Sequence, residues 1–180
     1  MLPERKEILK RVAEEYWYFL NSIRWDNELY KSGMKEARTK FLANLHITIL
    51  TKHLPRGYRR RWYTADYVSP RAIKLLQKGK WGSGELIYEH MVPKTEYIIK
   101  ECEKKIQEEK EIDKDFIYDM LDKYLWIATI HEDENKGLLK NSMPNGWNKE
   151  DIFARYKEKD KEIELIPHDR SYFNKKKIKL

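Results

Sequence analysis

An acidic residue and a histidine stand side by side in segment 89–93, which has the sequence EHMVP. The segment follows the apolar run 86–88 and ends in proline, which is typical of a strand whose pairing stops there. Neighbouring residues of a strand point to opposite faces, so Glu89 and His90 can reach different atoms from one rigid edge. A carboxylate can hold a divalent cation while a histidine activates water. The pair therefore predicts metal-assisted cleavage of a phosphodiester.

The elements that must position this pair are predicted to be mostly helical. Apolar side chains recur at helical spacing in six segments: 4–29, 34–51, 69–79, 95–110, 115–124 and 149–159. A break near 21–22 is one alternative for the first segment. Ser69 as cap and Pro70 at the first position predict the start of the third helix, and Gly79 predicts its end.

Strands are predicted over 85–93 and 125–130, and a further edge strand over 163–166. Periodicity alone also allows 125–130 to continue the preceding helix. The predicted fold is α+β and mostly helical, with an N-terminal helical hairpin and a small β-sheet that carries helices and a ββα-like site. The predicted division is 1–68 for the hairpin with a basic loop, 69–169 for the α+β catalytic core, and 170–180 for a basic tail.

In this order of strand, excursion, strand and helix, residues 85–139 resemble the HNH, or ββα-metal, nucleases. Residues 89–93 match the acid–histidine–proline element on the first strand of that superfamily. Residues 129–136, with the sequence TIHEDENK, resemble the helix that completes its metal site. The resemblance implies a nuclease that hydrolyses DNA or RNA with Mg²⁺ or another divalent cation.

The resemblance also implies the role of each matching residue. The general base would be His90, and the phosphate would be contacted by Lys136. The metal ligands would be Glu89 and Asn135, with His131 as the alternative ligand from the helix. Oxygen ligands suit a hard cation such as Mg²⁺, and a histidine with a near-neutral pKa can deprotonate water.

Each of these residues also has a structural interpretation. Glu89 and His90 can form a hydrogen-bonding pair that only stabilises the strand, and His131 stands where it can cap a helix. Arg155 can clamp a phosphate or pair with a neighbouring acid. The only cysteine, Cys102, lies among isoleucines and is predicted to be a buried apolar side chain.

A second pattern points to nucleic acid without pointing to catalysis. Residues 52–61 include five lysines and arginines and no acid, and aromatic residues interleave with the basic ones. Arginines bind phosphates and aromatic rings stack on bases. The predicted nucleic-acid-binding residues are Arg56, Tyr58, Arg59, Arg60, Arg61 and Trp62, together with Arg155. The tail 170–180 is a second basic run.

Composition limits the remaining possibilities. The chain has 180 residues and a net charge of +7, and 37% of its residues are charged. Its apolar runs fall short of the roughly 20 residues that span a bilayer, so no membrane partner is expected. A lone cysteine cannot form an intramolecular disulfide, which favours the reducing cytoplasm.

The sequence thus predicts a cytoplasmic metal-dependent nuclease of a phage, restriction or toxin-like kind. Two alternatives stay open. The protein can be a non-catalytic nucleic-acid-binding protein, in which the acid–histidine pair is structural. It can also be a protein-interaction or inhibitor module whose helical hairpin carries the partner surface. A homodimer is likewise left open.

Overall fold

The computed structural model describes residues 4–56, 59–158 and 162–170. In chain order the elements are α1 (Arg5–Asn21), α2 (Glu28–Gly33), α3 (Lys35–Thr51), β1 (Tyr67–Val68), α4 (Pro70–Gln77), β2 (Leu86–His90), α5 (Lys100–Glu108), α6 (Lys114–Tyr124), β3 (Ile127–His131), α7 (Glu132–Asn135) and β4 (Ile166–Pro167). A π-helical turn, Thr95–Ile99, precedes α5. The predicted fold class, mostly helical α+β, is confirmed. No helix in these ranges is long and apolar enough to cross a membrane.

The described residues form two compact units, and each unit combines separated parts of the chain. A helical unit comprises the described residues of Met1–Arg60 and Pro93–Leu125, and a mixed unit those of Arg61–Val92 and Trp126–Leu180. The predicted division at 68/69 and 169/170 differs from this grouping. Segment 93–125 belongs with the N-terminal helices because its π-helical turn packs against α3 and its last helix, α6, packs against α1.

Helix α1 forms the centre of the helical unit, where it contacts both α3 and α6. It follows the predicted amphipathic pattern, in which apolar residues three or four positions apart share one face. Its buried residues are Ile8, Leu9, Val12, Ala13, Tyr16 and Leu20. Stacked rings of Phe19 and Phe41, with centroids 4.0 Å apart, join α1 to α3. The helix ends at Asn21, at the predicted break.

A bidentate ion pair connects α3 to α5. Arg38 donates from Nε to Oε1 of Glu103 at 2.8 Å and from Nη2 to Oε2 at 2.5 Å. Glu103 is almost fully buried. A buried carboxylate needs a close cation, since desolvation otherwise disfavours its charge.

The mixed unit is built on a four-stranded sheet with the order β2-β3-β1-β4. Strand β3 pairs antiparallel with β2 and parallel with β1, and β1 pairs antiparallel with β4. The inner strand β3 is buried from Ile127 to Ile130, which explains its continuous apolar sequence. Ser69 caps α4, as predicted, by accepting a hydrogen bond from the Ala72 amide at 3.2 Å.

The helix predicted over 149–159 is not present in the described part of that segment. Residues 149–158 form turns and one short 3₁₀ helix, Ala154–Tyr156. Side-chain oxygens accept hydrogen bonds from the backbone amides near the predicted start of the helix. Asn148 Oδ1 accepts from the amides of Glu150 and Asp151, and Asp151 Oδ1 accepts from that of Phe153. Such local bonds compete with helix formation.

A buried histidine makes the stability of the helical unit sensitive to acid. His46 lies on α3 with only 3% of its surface exposed. Burial, with a smaller contribution from the positive charge of Arg5, lowers the pKa of His46 to about 4. The unfolded chain therefore binds a proton between the unfolded pKa, near 6.5, and the folded pKa, whereas the folded chain does not.

We predict that stability falls as the pH decreases from about 6.5 to 4, with a loss from His46 that approaches ~3 kcal/mol. His46→Leu should remove this part of the pH dependence, measured by urea unfolding followed by circular dichroism at several pH values. The matched control is His53→Leu, because His53 is an exposed histidine just past the same helix. If the free energy of unfolding of His46→Leu depended on pH as steeply as that of the wild type, His46 would not be the source of this pH dependence.

Candidate functional site

The register of β2 and β3 separates the residues that the sequence predicts to form one site. Glu89 pairs with Ala128 and His90 pairs with Ile127, whereas Leu86 pairs with His131. The end of β3 therefore lies beside the start of β2, and the Glu132 amide donates to the Glu85 carbonyl at 2.8 Å. Three residues of strand correspond to roughly 10 Å. Asn135, which follows β3, is accordingly at the opposite end of this strand pair from the acid–histidine pair.

Glu89 is held by a buried arginine. Its Oε1 accepts from Nη1 of Arg155 at 2.8 Å, and the Arg155 side chain is only 1% exposed. Burial raises the pKa of Glu89, and the Arg155 charge opposes that rise. Arg155 Nη1 also donates to the His90 carbonyl at 2.9 Å, and its Nη2 donates to the Leu139 carbonyl. The guanidinium is thus enclosed by protein acceptors, which favours the ion pair over the phosphate clamp, the two alternatives that the sequence leaves open for Arg155.

His90 lies on the other face of the strand from Glu89, as alternation requires. Its ring meets Tyr88 edge to face, with centroids 5.8 Å apart. The Tyr88 hydroxyl in turn is 2.7 Å from Oγ1 of Thr64. The Nε2 atom of His90 is buried. A general base needs contact with the water that it deprotonates, and this nitrogen is closed to solvent in the present arrangement.

His131 caps a short helix. Its Nδ1 accepts from the Asp133 amide at 3.1 Å, while Oε2 of Glu134 accepts from the His131 amide at 2.7 Å. This reciprocal pair is a capping box. The same Glu134 oxygen accepts from the Ser69 hydroxyl at 2.6 Å. A glutamate three residues after the cap, as Glu134 is after His131, is typical of a capping box. Histidine is an unusual residue at the cap position.

The two other predicted site residues in this region, Asn135 and Lys136, make local contacts. Lys136 Nζ is 3.0 Å from Oδ1 of Asp133 and 3.7 Å from Oε1 of Glu132. These carboxylates raise the pKa of Lys136. Asn135 is half-buried, and its carbonyl accepts from the Leu138 amide at 3.1 Å. In the described ranges, no group of three or more His, Cys, Asp or Glu side chains is arranged to hold a metal ion.

The predicted nucleic-acid-binding residues differ in exposure. The side chains of Arg56, Arg59, Arg60 and Arg61 are exposed. Trp62 is 5% exposed, so its ring is not free to stack on a base, and Arg61 covers it at 4.4 Å from the ring centroid. Tyr58 lies outside the described residues.

Comparison with protein-family models, with curated proteins and with solved structures found no match. The resemblance to HNH nucleases therefore stays a prediction that rests on residues 89–93. In the structure these residues lie at the end of β2, where the Glu89 carboxylate pairs with Arg155.

We predict that Arg155→Met destabilises the protein by about 3–5 kcal/mol, because it leaves the Glu89 carboxylate buried without its cation. The free energy of unfolding is measured in urea. Arg71→Met is the matched control, since it breaks the exposed pair with Asp133 and should cost at most about 1 kcal/mol. Equal losses in the two variants would show that the Glu89–Arg155 pair is not a structural requirement.

Proposed function

We propose that the protein binds DNA or RNA through residues 52–61, named here the basic segment, and that it does so without catalysis. The observation that carries this proposal is a group of exposed cationic side chains without a carboxylate partner among the described residues: Lys52, Arg56, Arg59, Arg60 and Arg61. Arginine and lysine side chains readily donate hydrogen bonds to phosphates and neutralise their charge.

The absence of acids within the basic segment strengthens this argument. Elsewhere, Lys40, Arg71, Lys100, Lys114, Lys136 and Lys157 have an acidic partner, whereas others, such as Lys74 and Lys78, are exposed without an ion pair among the described residues. A charge run that were only a solvated face would be expected to contain acids as well. The basic segment contains none, so its field is not cancelled locally and attracts a polyanion.

The backbone of the basic segment also helps to present its side chains. Arg59 Nε donates to the Leu54 carbonyl at 3.0 Å, which fixes the base of the guanidinium and leaves its Nη groups for a ligand. A guanidinium held in this way loses less conformational entropy when it binds a phosphate. The cytoplasm is the proposed location, since the only cysteine, Cys102, is a buried thiol.

Metal-dependent hydrolysis at Glu89 and His90 is the competing proposal. For this reaction, the Glu89 carboxylate would have to release Arg155 and bind a metal cation instead. Asn135 or His131 would also have to approach from the other end of the β2–β3 strand pair. The two proposals differ in one simple observation. Binding through the basic segment is unaffected by a chelator, whereas cleavage that requires Mg²⁺ and is lost in His90→Ala would favour the nuclease.

We predict that Arg59→Ala and Arg60→Ala each weaken binding of a fluorescent oligonucleotide. Each should reduce the slope of log affinity against log salt by about 0.7–0.9, one released counterion per lost phosphate contact. Fluorescence anisotropy between about 50 and 200 mM salt measures this slope.

The matched control for these variants is Arg71→Ala, which removes the same charge from a side chain already paired with Asp133. It should leave the slope unchanged. Unchanged affinity after combined replacement of Arg56, Arg59 and Arg60 by alanine would overturn the proposed function.

A further inference from the structure

An open cleft lies between α1 and α3 at the point where the basic segment begins. Its volume is about 580 Å³, within the range of sites for small organic ligands. Its lining includes three apolar residues, called here the apolar floor: Ile8, Ile49 and Leu50. Ile8 and Leu50 belong to the core, whereas Ile49 is half-exposed. The cleft therefore offers an apolar surface to a ligand that enters from solvent.

The rim of this cleft carries an excess of positive charge. Its two acids already have cationic partners, because Glu7 pairs with Lys10 at 3.5 Å and Glu14 pairs with Lys114 at 2.7 Å. Arg11 and Lys52 are exposed on the rim, and neither has an ion-pair partner among the described residues. The cleft thus combines an apolar floor with two uncompensated cations.

The cleft and the basic segment are continuous through shared residues. Lys52 and His53 line the cleft and are also the first two residues of the basic segment. Lys52 follows α3 directly, and its amide donates to the Thr48 carbonyl at 2.9 Å. A strand whose phosphates contact the basic segment would consequently bring its next nucleotide to the mouth of the cleft.

We infer that this cleft receives one unstacked base of a single-stranded nucleic acid, while Arg11 and Lys52 bind the adjacent phosphates. The inference rests on the proposed function. In a duplex, the bases are paired and stacked, so only phosphates and sugars meet a protein surface outside the grooves. A single strand can turn a base outward, and contact of that base with aliphatic side chains removes apolar surface of both from water. The apolar floor therefore selects single strands over duplexes.

The test compares binding of a labelled thymidine oligonucleotide of about twelve residues with binding of a duplex of equal length at one salt concentration. We expect the wild-type protein to bind the single strand about tenfold more tightly. Ile49→Glu places a carboxylate on the cleft floor and should remove most of this preference. Thr48→Glu is the matched control, because it adds the same charge at the adjacent exposed position outside the cleft.

Arg11→Ala provides a second variant that does not touch the core, and it should weaken single-strand binding several-fold with little effect on the duplex. Equal wild-type affinity for single strand and duplex would overturn this inference and leave the proposed function intact. Equal effects of Ile49→Glu and Thr48→Glu, with no selective loss in Arg11→Ala, would overturn it as well. Absence of binding to either probe would instead reject the proposed function.

Discussion

The buried guanidinium of Arg155 is the interaction on which the mixed unit depends. It donates to the Glu89 carboxylate, to the carbonyls of His90 and Met91 at the end of β2, and to the Leu139 carbonyl. Removing an arginine from water is costly unless several acceptors surround it. Residues 136–153 contain no helix or strand in the described structure. The Arg155 side chain thus helps to connect this irregular segment to the edge of the sheet.

This constraint also separates the two functional hypotheses. A cation at Glu89 would compete with Arg155 for the same carboxylate, and loss of that pair would leave an uncompensated charge inside the protein. The arginines of the basic segment have no such conflict, because no described carboxylate occupies them. We therefore propose that the basic segment is the binding surface, since a ligand there would leave the Glu89–Arg155 pair intact.

Local signals were sufficient to predict most elements. The repeat of apolar residues in α1 and the cap Ser69 before Pro70 both correspond to contacts in the structure. The two-residue strand β1 and the return of 93–125 to the N-terminal helices could not be predicted, since both depend on partners distant in sequence. The separation of the predicted site residues could not be predicted for the same reason. Sequence located both strands, but only their pairing reveals that Glu89 and Asn135 lie at opposite ends.

Whether the basic segment binds nucleic acid is tested by hydrogen–deuterium exchange with and without a saturating single-stranded oligonucleotide. The amides are compared across the whole chain in one experiment, in the presence of a chelator. We expect slower exchange at 49–56 and 59–61, with no change in β2 or α7. Slower exchange confined to 86–91 and 131–136, appearing only when Mg²⁺ replaces the chelator, would contradict this expectation.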